Sequence, residues 1–385
     1  MTLVRPAIEA MEDSPILEVW RMGFSVDGVI GLWAGEPDMP TPRFICEAAE
    51  KGLAEGRTFY THGRGIPELR QTIAAYLHRL YGKTISDDRI AVTSAGMNAV
   101  QLVCQALIEP GDKAVVITPS WPNIMRAMQI SGADVKEVPL TSGADGWSLD
   151  LDAVFAAAGP KTKMIYLASP ANPTGWMISP EQAKALLDFA KQRGIAIVSD
   201  EVYHRIVYDR PVAFSFLDIA DENDPVFIVN SFSKSWAMTG WRMGWLVYPK
   251  GYIDTFEKLI QFNTSGGQEF LQYGGIAAIR DGEPFVAEFV ERCRRGREII
   301  NASLAKMNRV KNIPNNGSFY AMFEIDGVTD TIDFCKKAVV DARVGLAPGI
   351  AFGAGAEKMI RLCYAKSAEN LTEAADRLGR FIQKI

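Results

Sequence analysis

Six short runs of apolar, largely β-branched residues recur through the middle of the chain: Ile90–Thr93, Ala114–Thr118, Met164–Ala168, Ile195–Ser199, Val226–Asn230 and Gly244–Tyr248. Their hydrophobicity is nearly continuous, with no polar residue at every second position. A strand of that kind is buried on both faces, which calls for a mostly parallel sheet covered by helices on either side. The segments between the runs supply those helices. The pattern predicts them over Ala95–Ile108, Trp121–Ser131 and Pro180–Arg193. The last carries a full set of end signals: Ser179 as N-cap, Pro180 at the first position, Glu181 in the first turn and Gly194 just past the end.

A chain of 385 residues is too long for one compact core, so a second domain is expected. After about residue 275 the pattern changes. A long helical stretch, Pro284–Met307, leads into PNNGSFYAMFEID, a turn entering a strand, and then helix, strand and helix follow. The reading is an α/β protein with a large domain over residues 40–275. Residues 276–385, joined by 1–39, form a smaller α+β domain.

Hydrophobic residues at 48% and charged residues at 23% are ordinary for a soluble globular chain. A net charge of −5 without a basic stripe argues against a nucleic-acid partner. The densest cationic run, Arg292, Arg294, Arg295 and Arg297, is interleaved with Glu291 and Glu298 and reads as a solvated helix face. The five cysteines lie far apart, with no CxxC pair, as expected of reduced thiols in a cytoplasmic protein. The three histidines (His62, His78, His204) form no HExxH, so no metal site is expected. Acidic residues in MTLVRPAIEAMEDSP stand where a signal peptide would have its apolar core. No window approaches the roughly 18 apolar residues of a membrane span.

Chemistry concentrates in SFSKSWAMTGWRMGW, Ser231–Trp245. Lys234 stands there among hydroxyls (Ser231, Ser233) and close to Arg242. That is what a Schiff-base enzyme needs: an amine to form an imine with an aldehyde cofactor, and hydroxyls with a guanidinium to hold its phosphate. The run closely resembles the cofactor-lysine signature of the class I/II aminotransferases, pyridoxal-phosphate enzymes of fold type I.

Further segments match that family in order. SPANPTGWM gives Asn172, whose counterpart bonds the cofactor's ring hydroxyl, at the carboxyl end of a strand. SDEVY gives Asp200, matching the carboxylate that faces the pyridine nitrogen, and Tyr203, matching the tyrosine that donates to the same ring oxygen as Asn172. By resemblance, Asn172 and Tyr203 make the imine less basic. TSAGMNA forms a small-residue turn into a helix, where backbone N–H groups can cup a phosphate; Ala95, Gly96 and Met97 are assigned to it. TPSWPN puts Trp121 where the family stacks an aromatic on the ring. MIRLCYA buries Arg361, matching the arginine that holds the substrate α-carboxylate bidentately. LWAGEPDMPTP supplies Gly35, whose backbone touches the same carboxylate. Tyr60 matches a residue that reaches the phosphate of the neighbouring subunit, so the resemblance implies a homodimer with shared sites.

By resemblance, then, the enzyme moves an amino group between an L-amino acid and a 2-oxo acid in two half-reactions, with Lys234 shuttling the proton. A pyridoxal-phosphate β-lyase of the same fold would share all these residues. A cofactor-binding regulator would need a helix-turn-helix domain that the residues before Gly35 cannot hold. Both cations that acidic-substrate members use are missing: Met97 replaces a lysine, and Gln261–Gln268 has no arginine. Neutral or aromatic donors are therefore expected, with Trp33, Met97 and Trp121 in the pocket. Arg21, Arg43 and Arg64 are the remaining basic residues that could reach it.

Overall fold

The computed structural model describes residues 3–385, so residues 1 and 2 of the expected first segment lie outside the described residues. Two principal sheets organise the chain, and their strands are numbered here in chain order. The larger sheet has seven strands among the described residues: β1 Ile90–Thr93, β2 Lys113–Thr118, β3 Asp134–Pro139, β4 Thr162–Ala168, β5 Ala196–Asp200, β6 Val226–Ser231 and β7 Gly244–Val247. Their spatial order is β1-β7-β6-β5-β4-β2-β3. Strands β2 to β6 pair in parallel.

All six predicted runs are strands here; four of the seven strands are buried at every position, and β2 and β4 each expose a single lysine, Lys113 and Lys163. Two features were not predicted. Strand β3 alternates exposed residues with half-buried Val135 and Glu137 before buried Val138, and at the sheet edge it pairs with β2; an edge strand wetted on one side has no continuous apolar signal. Strand β7 runs antiparallel to both neighbours, a direction that hydrophobicity cannot encode.

Helices cover both faces. Gly96–Leu107 and Pro122–Ser131 follow β1 and β2. Pro180–Arg193 begins in a reciprocal cap: Ser179 accepts from the Gln182 N–H, and the Gln182 side chain accepts from the Ser179 N–H. It ends at Gly194, whose φ of 63° only glycine adopts without strain.

The second sheet is antiparallel, from β8 Val310–Ile313, β9 Tyr320–Ile325, β10 Ala347–Pro348 and β11 Met359–Cys363, ordered β8-β9-β11-β10. It has its own apolar core, closed by the long helix Glu283–Leu304 and the last helix Ala368–Ile382. Val19, Leu32 and Trp33 from the beginning of the chain are buried in that core. The arginine run on the long helix is only half solvated, contrary to expectation. Arg294 and Arg295 pair with Glu291. Arg292 instead bonds Asp38, and Arg297 lies 4.3 Å over the Tyr208 ring and donates to the Asn315 carbonyl at 2.9 Å. A helix packed on one side commits the charges on that side to fixed partners.

Candidate active site

The carboxyl ends of the parallel strands lie along one sheet edge, where open α/β sheets bind ligands. Asp200 ends β5 and Ser231 ends β6, with Lys234 on the helical turn Phe232–Ser235 that follows. Asn172 lies just past β4 and Trp121 just past β2. Because β7 runs backwards, its first residue reaches the same edge: Gly244 lies opposite both Thr93 and Ser231. Arg242, two residues earlier, joins the others there. A Cβ on Gly244 would stand 2.6 Å from the Gly96 nitrogen and 2.7 Å from the Asn230 carbonyl oxygen. Glycine therefore lets the helix start sit directly on the sheet edge.

A cavity of about 310 Å³ opens between this edge and β11. It brings together Gly35, Gly96, Met97, Trp121, Asn172, Asp200, Tyr203, Ser231, Ser233, Lys234, Arg242 and Arg361. Two expected residues are not among its lining. Ala95 lies just behind it, buried, at the N-cap of the Gly96–Leu107 helix with a φ of 96°. Tyr60 is 93% exposed and borders a separate groove with residues 264–270.

Lys234 donates from Nζ to the Gly35 carbonyl at 2.7 Å. Burial, aided by the Arg361 and Arg242 charges, pulls its ammonium down to about 8, so a usable fraction is free amine near neutral pH.

Asp200 is buried, and its neighbours are neutral donors: the Tyr166 hydroxyl at 2.9 Å and the Val202 N–H at 3.2 Å. Burial raises its pKa despite those bonds. A buried carboxylate hydrogen-bonded only by neutral donors favours a cationic N–H opposite it. Tyr203 and Tyr320 share a hydrogen bond of 2.6 Å between their hydroxyls, both fully buried.

Arg361 is 3% exposed and central in the small sheet, opposite Met322 and Ala347. The Tyr320 and Phe352 rings cover it at 4.5 and 4.8 Å. It donates to Asn172 Oδ1 at 3.0 Å and to the Trp33 carbonyl, while its Nε has no partner among the described residues. A guanidinium fixed in plane with an unused N–H is set to take an anion.

The cavity also gathers the start of the Gly96–Leu107 helix, the Ser231 and Ser233 hydroxyls, 2.9 Å apart, and Arg242. Helix N–H groups, hydroxyls and a guanidinium form a donor set suited to a phosphate. With the buried carboxylate and lysine, the residues present fit pyridoxal phosphate. Trp33 borders the cavity, yet its indole is sunk against Gly23, Gly31 and Gly345, where added Cβ atoms would meet it at 2.2, 3.1 and 2.0 Å. Arg21, Arg43 and Arg64 do not line the cavity. Arg21 pairs with Asp13, Arg43 with Glu47 and Glu50, and Arg64 with Asp88 and Glu257.

Sequence reasoning missed Tyr166, Tyr320 and Ile16, all of which line the cavity. Tyr166 was hidden inside an apolar strand. Tyr320 directly follows the GSF turn, the one local hint that it stands at a strand mouth.

Known proteins resemble this chain over nearly its whole length. A family model described as "Aminotransferase class I and II" matches residues 27–378. An aspartate aminotransferase of Thermotoga maritima is 36% identical over 357 residues, 92% of each chain. The solved aspartate aminotransferase of Thermus thermophilus with maleate superposes with a TM-score of 0.91 at 31% identity, covering 99% of this chain and all of that one. An alanine aminotransferase of Pyrococcus furiosus gives a TM-score of 0.93 at 25% identity, over 99% of this chain and 100% of that one.

Proposed function

This chain belongs to the class I and II aminotransferase family, and on that premise we propose that Lys234 carries pyridoxal phosphate and that the amino donor is a neutral or aromatic L-amino acid. It is an aminotransferase of fold type I. When bound, the cofactor supplies the carbonyl that the amine attacks and a ring that withdraws electrons from the substrate Cα. Asp200 would hold the ring nitrogen protonated. Asn172 and Tyr203 would bond the ring oxygen, and Trp121 would supply an aromatic face for the ring. The cup at Ala95, Gly96 and Met97, with Ser231, Ser233 and Arg242, would take the phosphate. Arg361 and the Gly35 backbone hold the substrate α-carboxylate, so its Cα proton lies within reach of Lys234, which carries it.

The observation that carries the donor class is the charge inventory of the cavity. Its cations are Lys234, Arg242 and Arg361, each already assigned. A side-chain carboxylate would lack a partner, and burying it unpaired costs several kcal/mol, on the order of 10²-fold in binding or more. Met97, Trp121 and Ile16 offer apolar surface instead.

The names of relatives favour a second reading, aspartate, which requires a cation from a partner subunit. Phe59 and Tyr60 (79% and 93% exposed) line a groove with residues 264–270, and exposed Phe262 (87%) stands two positions before that segment in the chain; we take this face as the seat of a second copy. The β-lyase reading is not favoured, since the relatives named above are aminotransferases. The five cysteines, free of disulfides, support a cytoplasmic location. We take the two largest hydrophobic cores as the cores of the two expected domains.

The test is a donor screen following conversion of the bound cofactor to its amine form by absorbance. Alanine, leucine or phenylalanine should exceed aspartate in kcat/KM. Aspartate well ahead of all three would overturn the donor class, and pyruvate with ammonia from a cysteine conjugate would restore the lyase. Sedimentation of the purified protein at twice the chain mass tests the dimer.

A further inference from the structure

Tyr320 has no role in the reading above. It opens β9, is fully buried, and directs its hydroxyl at Tyr203 at 2.6 Å. Among the described residues that hydroxyl has no other hydrogen-bond partner. The phenol is held from all sides. Its ring meets Tyr203 at a steep angle (74°, centroids 5.7 Å apart) and Phe319 at 5.0 Å, and Arg361 lies 4.5 Å over its face. Gly35 clears the remaining side: a Cβ there would stand 1.9 Å from the Tyr320 hydroxyl oxygen. Glycine at position 35 is what allows the phenol to reach Tyr203.

A hydroxyl carries one proton, so in a bonded pair of hydroxyls one donates and the other accepts. If Tyr203 gave its proton to Tyr320, it would have none for the cofactor's ring oxygen. That oxygen is anionic and the stronger acceptor, so it claims the Tyr203 proton. Tyr320 must then donate into the Tyr203 oxygen. An accepted hydrogen bond polarises the O–H of the acceptor and strengthens the bond it donates in turn.

We propose that Tyr320 is a positioning residue that commits Tyr203 to donate toward the cofactor's ring oxygen, and so helps keep the lysine–cofactor imine unprotonated near neutral pH. This rests on the proposed role of Tyr203.

The test uses purified holoenzyme without substrate. The absorbance of the bound chromophore is titrated against pH for Tyr320→Phe, Tyr203→Phe and the double variant. Tyr320→Phe should raise the midpoint by roughly half to one pH unit, the size of one neutral hydrogen bond. Tyr203→Phe should raise it further, and the double variant should match Tyr203→Phe alone, because Tyr320 acts through Tyr203. A midpoint unmoved in Tyr320→Phe but raised in Tyr203→Phe overturns the inference and leaves the role of Tyr203 intact. A Tyr320→Phe shift that persists in full without the Tyr203 hydroxyl overturns the route through Tyr203. An unmoved midpoint in Tyr203→Phe removes both. If Tyr320→Phe fails to hold the cofactor, Tyr320→Met goes through the same titration.

Discussion

The Tyr166 hydroxyl donates to Asp200 Oδ2 at 2.9 Å, from one buried strand to the end of its neighbour. In register, Tyr166 lies beside Val198, two residues before Asp200, so its long side chain spans the distance to the carboxylate. Among the described residues, this bond and the Val202 N–H are the hydrogen bonds that orient that carboxylate. Tyr166→Phe should lower kcat by about tenfold, the worth of one hydrogen bond to a charged group. Amino-acid KM values should change little, since the substrate contacts lie elsewhere. Steady-state kinetics check this, and an unchanged kcat would remove Tyr166 from the machinery.

Asp200→Asn should keep the cofactor and lose roughly 10²-fold or more in rate, because an amide cannot hold the ring nitrogen protonated. Turnover near that of the unaltered enzyme, in a folded variant, would refute the role given to Asp200.

For Lys234 the pH sign is definite. Only the free amine attacks a carbonyl, and burial pulls the ammonium down to about 8. The rate at which cofactor-free protein captures pyridoxal phosphate should therefore climb as pH rises through about 8 and level off above it. A midpoint close to the ordinary lysine value of 10.5 would contradict the burial argument. Borohydride reduction followed by peptide mapping should find the pyridoxyl group on Lys234, and Lys234→Ala should lose it.

Arg361→Lys should raise KM for every amino and oxo acid alike, by roughly 10²-fold. The slot between Tyr320 and Phe352 fits a planar guanidinium, and an ammonium cannot reproduce its two-pronged hold. A loss confined to one substrate class would reassign Arg361 to side-chain recognition.

Gly345→Ala tests the seat of Trp33. The new Cβ would start 2.0 Å from the indole, and Gly23 and Gly31 crowd the same ring, so it cannot simply shift aside. A stability loss of about 2 kcal/mol is expected from such overpacking, measured by chemical denaturation. Trp33→Ala in the same chain should recover part of it; a Gly345→Ala variant as stable as the unaltered chain would sink the account.

The sequence by itself determined the parallel core, because strands buried on both faces must be apolar throughout and so announce themselves. It also determined the lysine turn, the asparagine and aspartate at strand ends, and the buried arginine. Each of these is a local pattern whose chemistry is costly without a ligand. Tertiary structure decided the rest. The reversal of β7, which delivers Arg242 to the edge, depends on pairing with β1 and β6. The engagement of Arg64 by Asp88 and Glu257, far along the chain, depends on packing. The bonds of Tyr166 to Asp200 and of Tyr203 to Tyr320 join residues 34 and 117 positions apart. Hydrophobic periodicity records which side of an element is buried. Which hydroxyl meets which group is set only when strands pair, as for Tyr166 and Asp200, or when distant segments pack together, as for Tyr203 and Tyr320, and no local pattern carries that information.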